Sequence, residues 1–392
     1  MSYGSNIWKF YLISIFSAFE LTIAIFVLFL LANNLSMGQV MILETIFIVL
    51  VFLLEVPSGG FADLVGRKIS VSVSLMSITV AFLLFGLGNS IWMFLLAQVC
   101  VAFSWSFKSG AGSALLYDSL KEMKSLKNYP AIRGRASFLS LATWAVSSII
   151  SGVLAYYLGY RPLFFITAFI FFIGFLVSLT LREPPIHKHV RKSRYWQHLK
   201  AAVHFAVTHP VVRNLVVYYA VFSALGHLAW FFIQPFYKGS PAYLIGFATF
   251  LYFGSAAVGN LSAGYFVKYQ ERPLLILLLI IAGISFLSIP LGPAIYALIG
   301  ISIMSYTCGL RDVIVDAGVN HHTDSHHRAT VMSVQSMGKS IMYAMFAPLL
   351  GYVTDLWSAG ASFAIMGAAL IIFGGIFWIV SSQRRWEATA RL

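Results

Sequence analysis

Long apolar runs separated by short polar segments dominate this sequence. An α-helix needs about 20 residues to cross the hydrocarbon core of a bilayer, and twelve runs approach or exceed that length. They cover residues 7–32, 36–57, 70–89, 91–116, 136–158, 161–181, 211–236, 241–264, 273–290, 292–317, 329–352 and 359–382. Because the segments between neighbouring runs are short, we expect consecutive helices to form antiparallel hairpins.

The composition supports a membrane protein, since 59% of the 392 residues are hydrophobic and only 10% are charged. Such a chain is a polytopic membrane protein rather than a water-soluble globule. We therefore predict an all-α fold with an N-terminal six-helix bundle over residues 1–183, a cytoplasmic linker over 184–210 and a C-terminal six-helix bundle over 211–392. The apolar run after Lys9 has no small-residue cleavage site, which predicts a first span rather than a signal peptide.

The basic residues predict the orientation of the chain. With both termini in the cytoplasm, the outer loops hold only Arg161 and Lys238, and the remaining loop cations are inside, as the positive-inside rule requires. This accounts for the net charge of +13 without a nucleic-acid partner. We expect a multi-pass protein of the cell membrane, which is the inner membrane in a Gram-negative bacterium. Cys100 and Cys308 lie in apolar runs and form neither a disulfide framework nor a zinc pattern.

A glycine-containing segment with one acid and a basic pair, residues 55–68, joins the second and third spans. It resembles the corresponding segment of the major facilitator superfamily of transporters, which reads approximately Gly-x-Leu-Ala-Asp-Arg-x-Gly-Arg-Lys. Phe61 replaces the usual Leu and Leu64 the usual Arg. The matching positions are Gly59, Ala62, Asp63, Gly66, Arg67 and Lys68.

Further segments fit the same family: Tyr117-Asp118 followed by Arg133-Gly134-Arg135, Gly159-Tyr160-Arg161 with Phe164, and Arg328 to Ser333. The resemblance implies two six-helix bundles around a central cavity, one substrate site near the midplane and alternating access, with no cofactor. One departure concerns the fifth span. Drug–proton antiporters of the family usually carry a Gly-Pro-rich motif there, and this span offers Ser147, Ser151 and Gly152 instead.

The resemblance also implies a gate. Asp63 and Arg67 would help to latch one conformation, and charge networks near the inner end would form and break during the cycle. The alternatives are that Arg67 and Lys68 only anchor the chain to the lipid surface and that the other charges cap helix ends. The predicted gating residues are Gly59, Asp63, Gly66, Arg67, Lys68, Asp118, Arg133, Arg311 and Asp312.

Ionisable side chains inside the bilayer are costly and are therefore candidate functional groups. Besides Glu44, they include four candidates for substrate or proton binding: Glu20, Lys108, His227 and Lys339. At about 1.5 Å per residue, Glu20 and His227 lie near the midplane, one in each half. In the family, spans one, four, seven and ten line the cavity, and Glu20, Lys108, His227 and Arg311 fall on them.

We hypothesise that Glu20 is the coupling or substrate-charge site, with Lys108 or His227 as its counter-group, because an acid and a base in a low-dielectric cavity can exchange a proton. A static buried pair is the alternative. Trp105 and Trp230, each three residues from one of these bases, are candidate apolar or cation–π walls, with core packing as the alternative. Lys339 either faces the cavity or extends toward the inner surface.

Histidines concentrate on the predicted inner side. The segment His321-His322-Thr323-Asp324-Ser325-His326-His327 has the composition of a metal site but no regular ligand spacing. We therefore predict no metal site. The residues that would be candidate metal ligands are His321, His322, Asp324, His326 and His327.

Taken together, these features predict a secondary active transporter, a monomer that moves a small organic or amphiphilic solute, as a proton-coupled efflux antiporter in contact with membrane lipids. Sugar or nutrient uptake, a lipid flippase, a metal or metal-chelate exporter and a non-transporting membrane sensor remain alternatives. An enzyme is not expected, because the charges are scattered and form no nucleophile–base set or paired acids in one plane.

Overall fold

The computed structural model describes residues 3–185, 207–266, 271–323 and 325–381. These residues form α-helices joined by short connections, with two short 3-10 turns and no strand among them. The helices are α1 Ser5–Phe16, α2 Phe26–Ala32, α3 Met37–Val65, α4 Arg67–Leu87, α5 Ile91–Ser109, α6 Ala111–Glu122, α7 Tyr129–Leu158, α8 Arg161–Leu179, α9 Pro210–Phe236, α10 Ala242–Phe266, α11 Glu271–Ser288, α12 Ala294–His321, α13 Ser325–Leu356 and α14 Ala359–Val380.

Ten helical stretches of the described chain are long and apolar enough to cross a membrane. The predicted first span is instead broken into α1 and α2, and the predicted eleventh span corresponds to the more polar helix α13. Helices therefore occupy every one of the twelve predicted runs. The prediction of an all-α polytopic membrane protein is confirmed.

The chain divides into two compact units. The first comprises Met1–Val190 with Gly239–Phe250, and the second comprises Arg191–Lys238 with Leu251–Leu392. The predicted linker, residues 184–210, lies largely outside the described residues, so the predicted bundle boundaries stay a prediction.

An aromatic cluster forms much of the core of the first unit. Phe29 on α2 packs on Phe164 of α8 with ring centroids 4.2 Å apart, and Phe85 of α4 lies 5.2 Å from Phe26 and 6.0 Å from Phe94. All five rings are buried. The cluster joins helices α2, α4, α5 and α8 through large apolar surfaces and edge-to-face contacts.

Arg161, at the start of α8, fastens one end of this unit. Its Nη1 donates to the carbonyl oxygens of Gly86 (2.7 Å) and Gly88 (3.0 Å), and its Nη2 donates to Oδ1 of Asn33 and of Asn89, both at 2.8 Å. One guanidinium thus ties together the ends of α2 and α4 and the segment that precedes α5. Its planar fork of donors suits this role in a way that a lysine ammonium does not.

In the second unit, α10 and α12 pack backbone to backbone. A Cβ at Gly259 would collide with the carbonyl oxygen of Tyr306, and one at Gly309 would collide with that of Ala256. Only glycine fits at both positions. Small residues at helix crossings are the usual means of close packing in membranes, where lipid provides no hydrophobic drive for helix association.

Candidate functional site

Glu20 lies where the first span is broken. Helix α1 ends at Phe16 and α2 begins at Phe26, and the residues between them form turns. The backbone N–H of Leu21 donates to Oγ1 of Thr167 on α8 (3.1 Å), which satisfies one group that the interrupted helix leaves unpaired. Discontinuous membrane helices commonly form substrate and ion sites in transporters.

A cavity of about 470 Å³ opens beside this break, within the first unit. Its size lies in the range of about 300–1,000 Å³ that is typical of small-molecule sites. Glu20, Trp105 and Lys108 lie together on its wall, and their role in binding a solute or a proton stays a prediction. The wall also contains Arg133 and Trp144 and many serines: Ser14, Ser17, Ser74, Ser104, Ser113, Ser137 and Ser140.

Glu20 and Lys108 share the cavity but form no ion pair within the described part of the chain. Oε1 of Glu20 instead accepts a hydrogen bond from Oγ1 of Thr22 (3.1 Å). The charged neighbour of Lys108 is Arg133 of α7. Arg133 was expected in an inner charge network, and the structure places it on the cavity wall.

Trp105 has 52% of its surface exposed. It lines the cavity and meets Phe47 of α3 edge to face, with ring centroids 6.1 Å apart. Its indole is therefore available to an apolar solute and is not enclosed in the core.

Glu44 is the second acid inside the membrane region of the first unit. It is buried on α3, and its Oε1 accepts a hydrogen bond from Nε2 of Gln98 on α5 (2.5 Å). It is not among the residues that line the Glu20 cavity. This arrangement makes Glu44 a packed, hydrogen-bonded partner between two helices and a natural control for Glu20.

His227, Trp230 and Lys339 belong to the second unit. His227 stacks on Phe231 with ring centroids 6.0 Å apart and meets Tyr343 at 5.3 Å, while Trp230 lies 4.4 Å from Phe231. Lys339 on α13 is within electrostatic range of His227. The predicted pairing of His227 with Glu20 joins residues of different units and stays a prediction.

Arg311 was expected in a charge network with the inner loops, but its side chain is buried between helices. It is buried on α12, its Nη2 donates to Oδ1 of Asp312 (2.7 Å), and its guanidinium lies over the rings of Phe222 (4.8 Å) and Tyr219 (5.7 Å) of α9. Arg311 and Asp312 were selected from the sequence, but the two aromatic residues were not. Their spacing of three residues on one helical face was the available signal.

The predicted gating segment is almost entirely helical. Helix α3 continues to Val65 and α4 begins at Arg67, so Gly66 alone joins them, with φ at +125°. That conformation is one that glycine adopts freely and other residues rarely do. Gly59 lies within α3, and Asp63 is exposed.

Arg67 holds two helices together at this end of the unit. Its Nη1 forms an ion pair with Asp118 of α6 and donates to the carbonyl oxygen of Ala114 (2.9 Å). Glu183, which was not predicted from the sequence, accepts from the backbone N–H groups of Arg67 (2.8 Å) and Lys68 (2.6 Å). A carboxylate at a helix N-terminus caps unpaired donors and interacts favourably with the helix dipole.

His209, His321 and His322 on the predicted inner side each contact a neighbouring group. Nε2 of His322 lies 3.3 Å from Oε2 of Glu271, and Nδ1 of His209 accepts from the N–H of Val212 (3.4 Å). Burial, followed by the nearby His322, lowers the pKa of His209. The rings of His321 and His322 lie 4.9 Å apart and are tilted by 34°. In the part of the chain that the structure describes, no three His, Cys, Asp or Glu side chains form a metal-binding group; Asp324 and the side chains of His326 and His327 lie outside it.

These features define a helical membrane protein with a solute-sized cavity at a broken span. The sequence profile of the Major Facilitator Superfamily matches residues 10–243 and 237–390, so the chain belongs to that superfamily. The predicted family is confirmed. Membership places the chain among multi-pass membrane transporters rather than enzymes.

Two relatives illustrate the similarity in sequence. The chain is 33% identical over 121 residues to the multidrug resistance protein MdtG of Enterobacter lignolyticus, covering 31% of this chain and 28% of the relative. For MdtG of Salmonella arizonae the identity is 33% over 141 residues, covering 34% of each chain. The match thus spans about a third of these relatives.

The structural similarity extends over nearly the whole chain. A variant of the nucleoside transporter NupG superposes with a TM-score of 0.82 at 12% identity, covering 96% of this chain and 100% of that one. A variant of the peptide transporter POT in complex with sulfate gives a TM-score of 0.77 at 13% identity, covering 98% and 95%. At such identities the similarity shows the fold alone.

Proposed function

We propose that this protein is a secondary active transporter that moves a small organic or amphiphilic solute out of the cell by alternating access, coupled to proton entry. The observation that carries the proposal is Glu20, an acid at the break of the first span and on the wall of a solute-sized cavity. Ionisable groups are costly within a membrane, and in transporters they mark substrate or proton pathways.

The lining of the cavity supports an organic solute with apolar surface. Trp105 and Trp144 supply aromatic area, and aliphatic side chains contribute much of the remaining wall. In the described part of the chain, serines are the neutral polar residues on that wall, and no Asn or Gln of the kind that sugar sites use to bind several hydroxyls lies there. The MdtG relatives, which are named multidrug resistance proteins, favour efflux of a drug-like solute.

We further propose that the end of the first unit that carries Arg67, Asp118 and Glu183 faces the cytoplasm and forms part of a gate. The positive-inside rule supports this orientation. Ion pairs between helix ends are the kind of contact that forms in one conformation of a transporter and breaks in the other. In this proposal, the Arg67–Asp118 pair stabilises one of the two states.

The test is gradient-driven flux in proteoliposomes that contain the purified protein. A fluorescent or radiolabelled organic solute is followed after a pH gradient is imposed, for the wild type, Glu20→Gln and Glu44→Gln. We expect Glu20→Gln to abolish the response to the gradient. Glu44→Gln retains it, because that acid lies outside the cavity lining and a glutamine can still bond Gln98.

Loss of the gradient response in Glu44→Gln alone would move the proton site to α3. A full response in Glu20→Gln would remove proton coupling at Glu20 from the proposal. Flux that ignores the pH gradient in the wild type would contradict proton coupling altogether.

A further inference from the structure

We infer that the solute carries an anionic group, a carboxylate, phosphate or phosphonate, which Lys108 and Arg133 bind in the Glu20 cavity. The inference rests on the proposed function, because it takes this cavity as the solute site. It adds the charge class of the solute and a binding role for Arg133.

The charge balance of the cavity wall is the first observation. Among the residues that the structure describes, its charged lining groups are two cations, Lys108 and Arg133, and one acid, Glu20. The two cations come from different helices, α5 and α7, and lie within electrostatic range of each other. Like charges that face one cavity repel, and an anion between them relieves that repulsion.

The second observation is that neither cation has an acidic partner within the described residues. Two other arginines near the membrane are paired: Arg67 with Asp118, and Arg311 with Asp312. The acid that shares the cavity accepts its hydrogen bond from Thr22. Lys108 and Arg133 are also exposed rather than buried, so a solute in the cavity can reach both.

The chemistry of the pair specifies the group that it binds. A guanidinium presents a planar fork that matches carboxylate and phosphate oxygens, and an ammonium adds a compact point charge. Ser137 follows Arg133 by one helical turn and supplies a hydroxyl to the same wall. Trp105 precedes Lys108 by three residues, so apolar surface lies beside the cationic end.

An anionic solute changes the energetics of efflux. The membrane potential acts on each transferred charge with about 2.3 kcal/mol per 100 mV. An inside-negative potential therefore assists export of an anion. Exchange of one anion for one entering proton transfers net positive charge inward in both steps, because negative charge leaves and positive charge enters. Flux of the anion should accordingly increase when an inside-negative potential is imposed.

The experiment uses three probes that share a naphthalene body: 1-naphthaleneacetate, the neutral 1-naphthaleneacetamide and the cationic (1-naphthylmethyl)trimethylammonium. Equilibrium binding to the purified full-length protein is measured for the wild type, Lys108→Gln and Arg133→Gln. Lys121→Gln is the matched control, since Lys121 is exposed on α6 and is not among the cavity-lining residues.

We expect the acetate to bind about tenfold more tightly than the amide, as one charge-assisted contact allows. Each of the two cavity variants loses that preference while amide binding is unchanged, and Lys121→Gln behaves as the wild type. Lys108→Arg keeps the charge and retains the preference, which guards against a folding defect in the glutamine variant. Equal binding of acetate and amide, preference for the cation, or an unchanged preference in both glutamine variants would overturn the inference.

Two further arms identify the source of the anion. At a salt concentration that screens the surface charge, weaker acetate binding in phosphatidylglycerol nanodiscs than in phosphatidylcholine nanodiscs indicates that a lipid headgroup occupies the site, and unchanged binding indicates a free solute; both support the inference. Anion binding without proton-driven flux would retain the inference and contradict the proposed coupling. Proton-driven flux of the cationic probe, without anion binding, would do the reverse.

Discussion

Replacing Gly66 with alanine tests how the first unit holds the junction between α3 and α4. Gly66 has φ +125° and ψ 148°, a region that other residues rarely occupy. A Cβ there would lie 3.2 Å from Oε2 and 3.3 Å from Cδ of Glu183. That carboxylate accepts from the N–H groups of Arg67 and Lys68, so a shift of Glu183 also weakens the cap of α4.

The expected cost follows from these two effects. Holding a non-glycine residue in such a backbone conformation costs about 1–3 kcal/mol, and loss of a helix cap costs about 1 kcal/mol. The sum is roughly 2–4 kcal/mol. At about 2–4 °C per kcal/mol for a folding unit of this size, Gly66→Ala should lower the unfolding midpoint by at least ~4 °C.

The assay is thermal unfolding of the detergent-purified protein, with Gly59→Ala as the matched control. Gly59 belongs to the same motif but is helical, and a Cβ there would meet nothing within 4 Å. Alanine is favoured over glycine inside a helix by about 0.5–1 kcal/mol, so the control should not lose stability. Equal midpoints for Gly66→Ala and the wild type, or equal losses in both variants, would refute the reasoning.

Three further outcomes are expected. Asp118→Asn removes the ionic partner of Arg67 and should slow solute flux several-fold while leaving the solute Kd unchanged; a change in Kd alone would contradict a gating role. Arg161→Lys retains the charge but loses the fork of donors, and should destabilise the protein by about 1–3 kcal/mol in the same thermal assay. Gly226→Ala places a Cβ 2.7 Å from Sγ of Cys308 and should destabilise the protein by about 1–3 kcal/mol. An unchanged unfolding midpoint would show instead that α9 and α12 move apart at little cost.

The helices themselves were predictable because membrane spans are long, apolar and bounded by charge or glycine. The break in the first span was not. Residues 17–25 contain neither glycine nor proline, and the partner that accepts from the backbone N–H of Leu21, Thr167, is far away in the sequence. Glu20, an acid in an apolar run, was the only local sign that this stretch is unusual.

Residue types also indicated which side chains line the cavity better than they indicated the hydrogen-bond and ionic partners of those side chains. Lys108 and Trp105 were selected for the cavity and line it, whereas Arg133 was selected for a gate and lies on the same wall. No sequence pattern marked Glu183 as a functional residue, because it lies in the segment that follows the end of α8 at Leu179. Its contact with the start of α4 depends on how distant helices pack, which hydrophobic periodicity alone does not specify.

Glu20 as the proton-coupling group is the central claim, and solute counterflow tests it most directly. Proteoliposomes loaded with unlabelled solute are placed in labelled solute, with and without a pH gradient. Glu20→Gln should retain exchange of labelled for unlabelled solute, since exchange requires only binding and alternating access, but should lose accumulation driven by the gradient. Accumulation equal to that of the wild type would contradict the account.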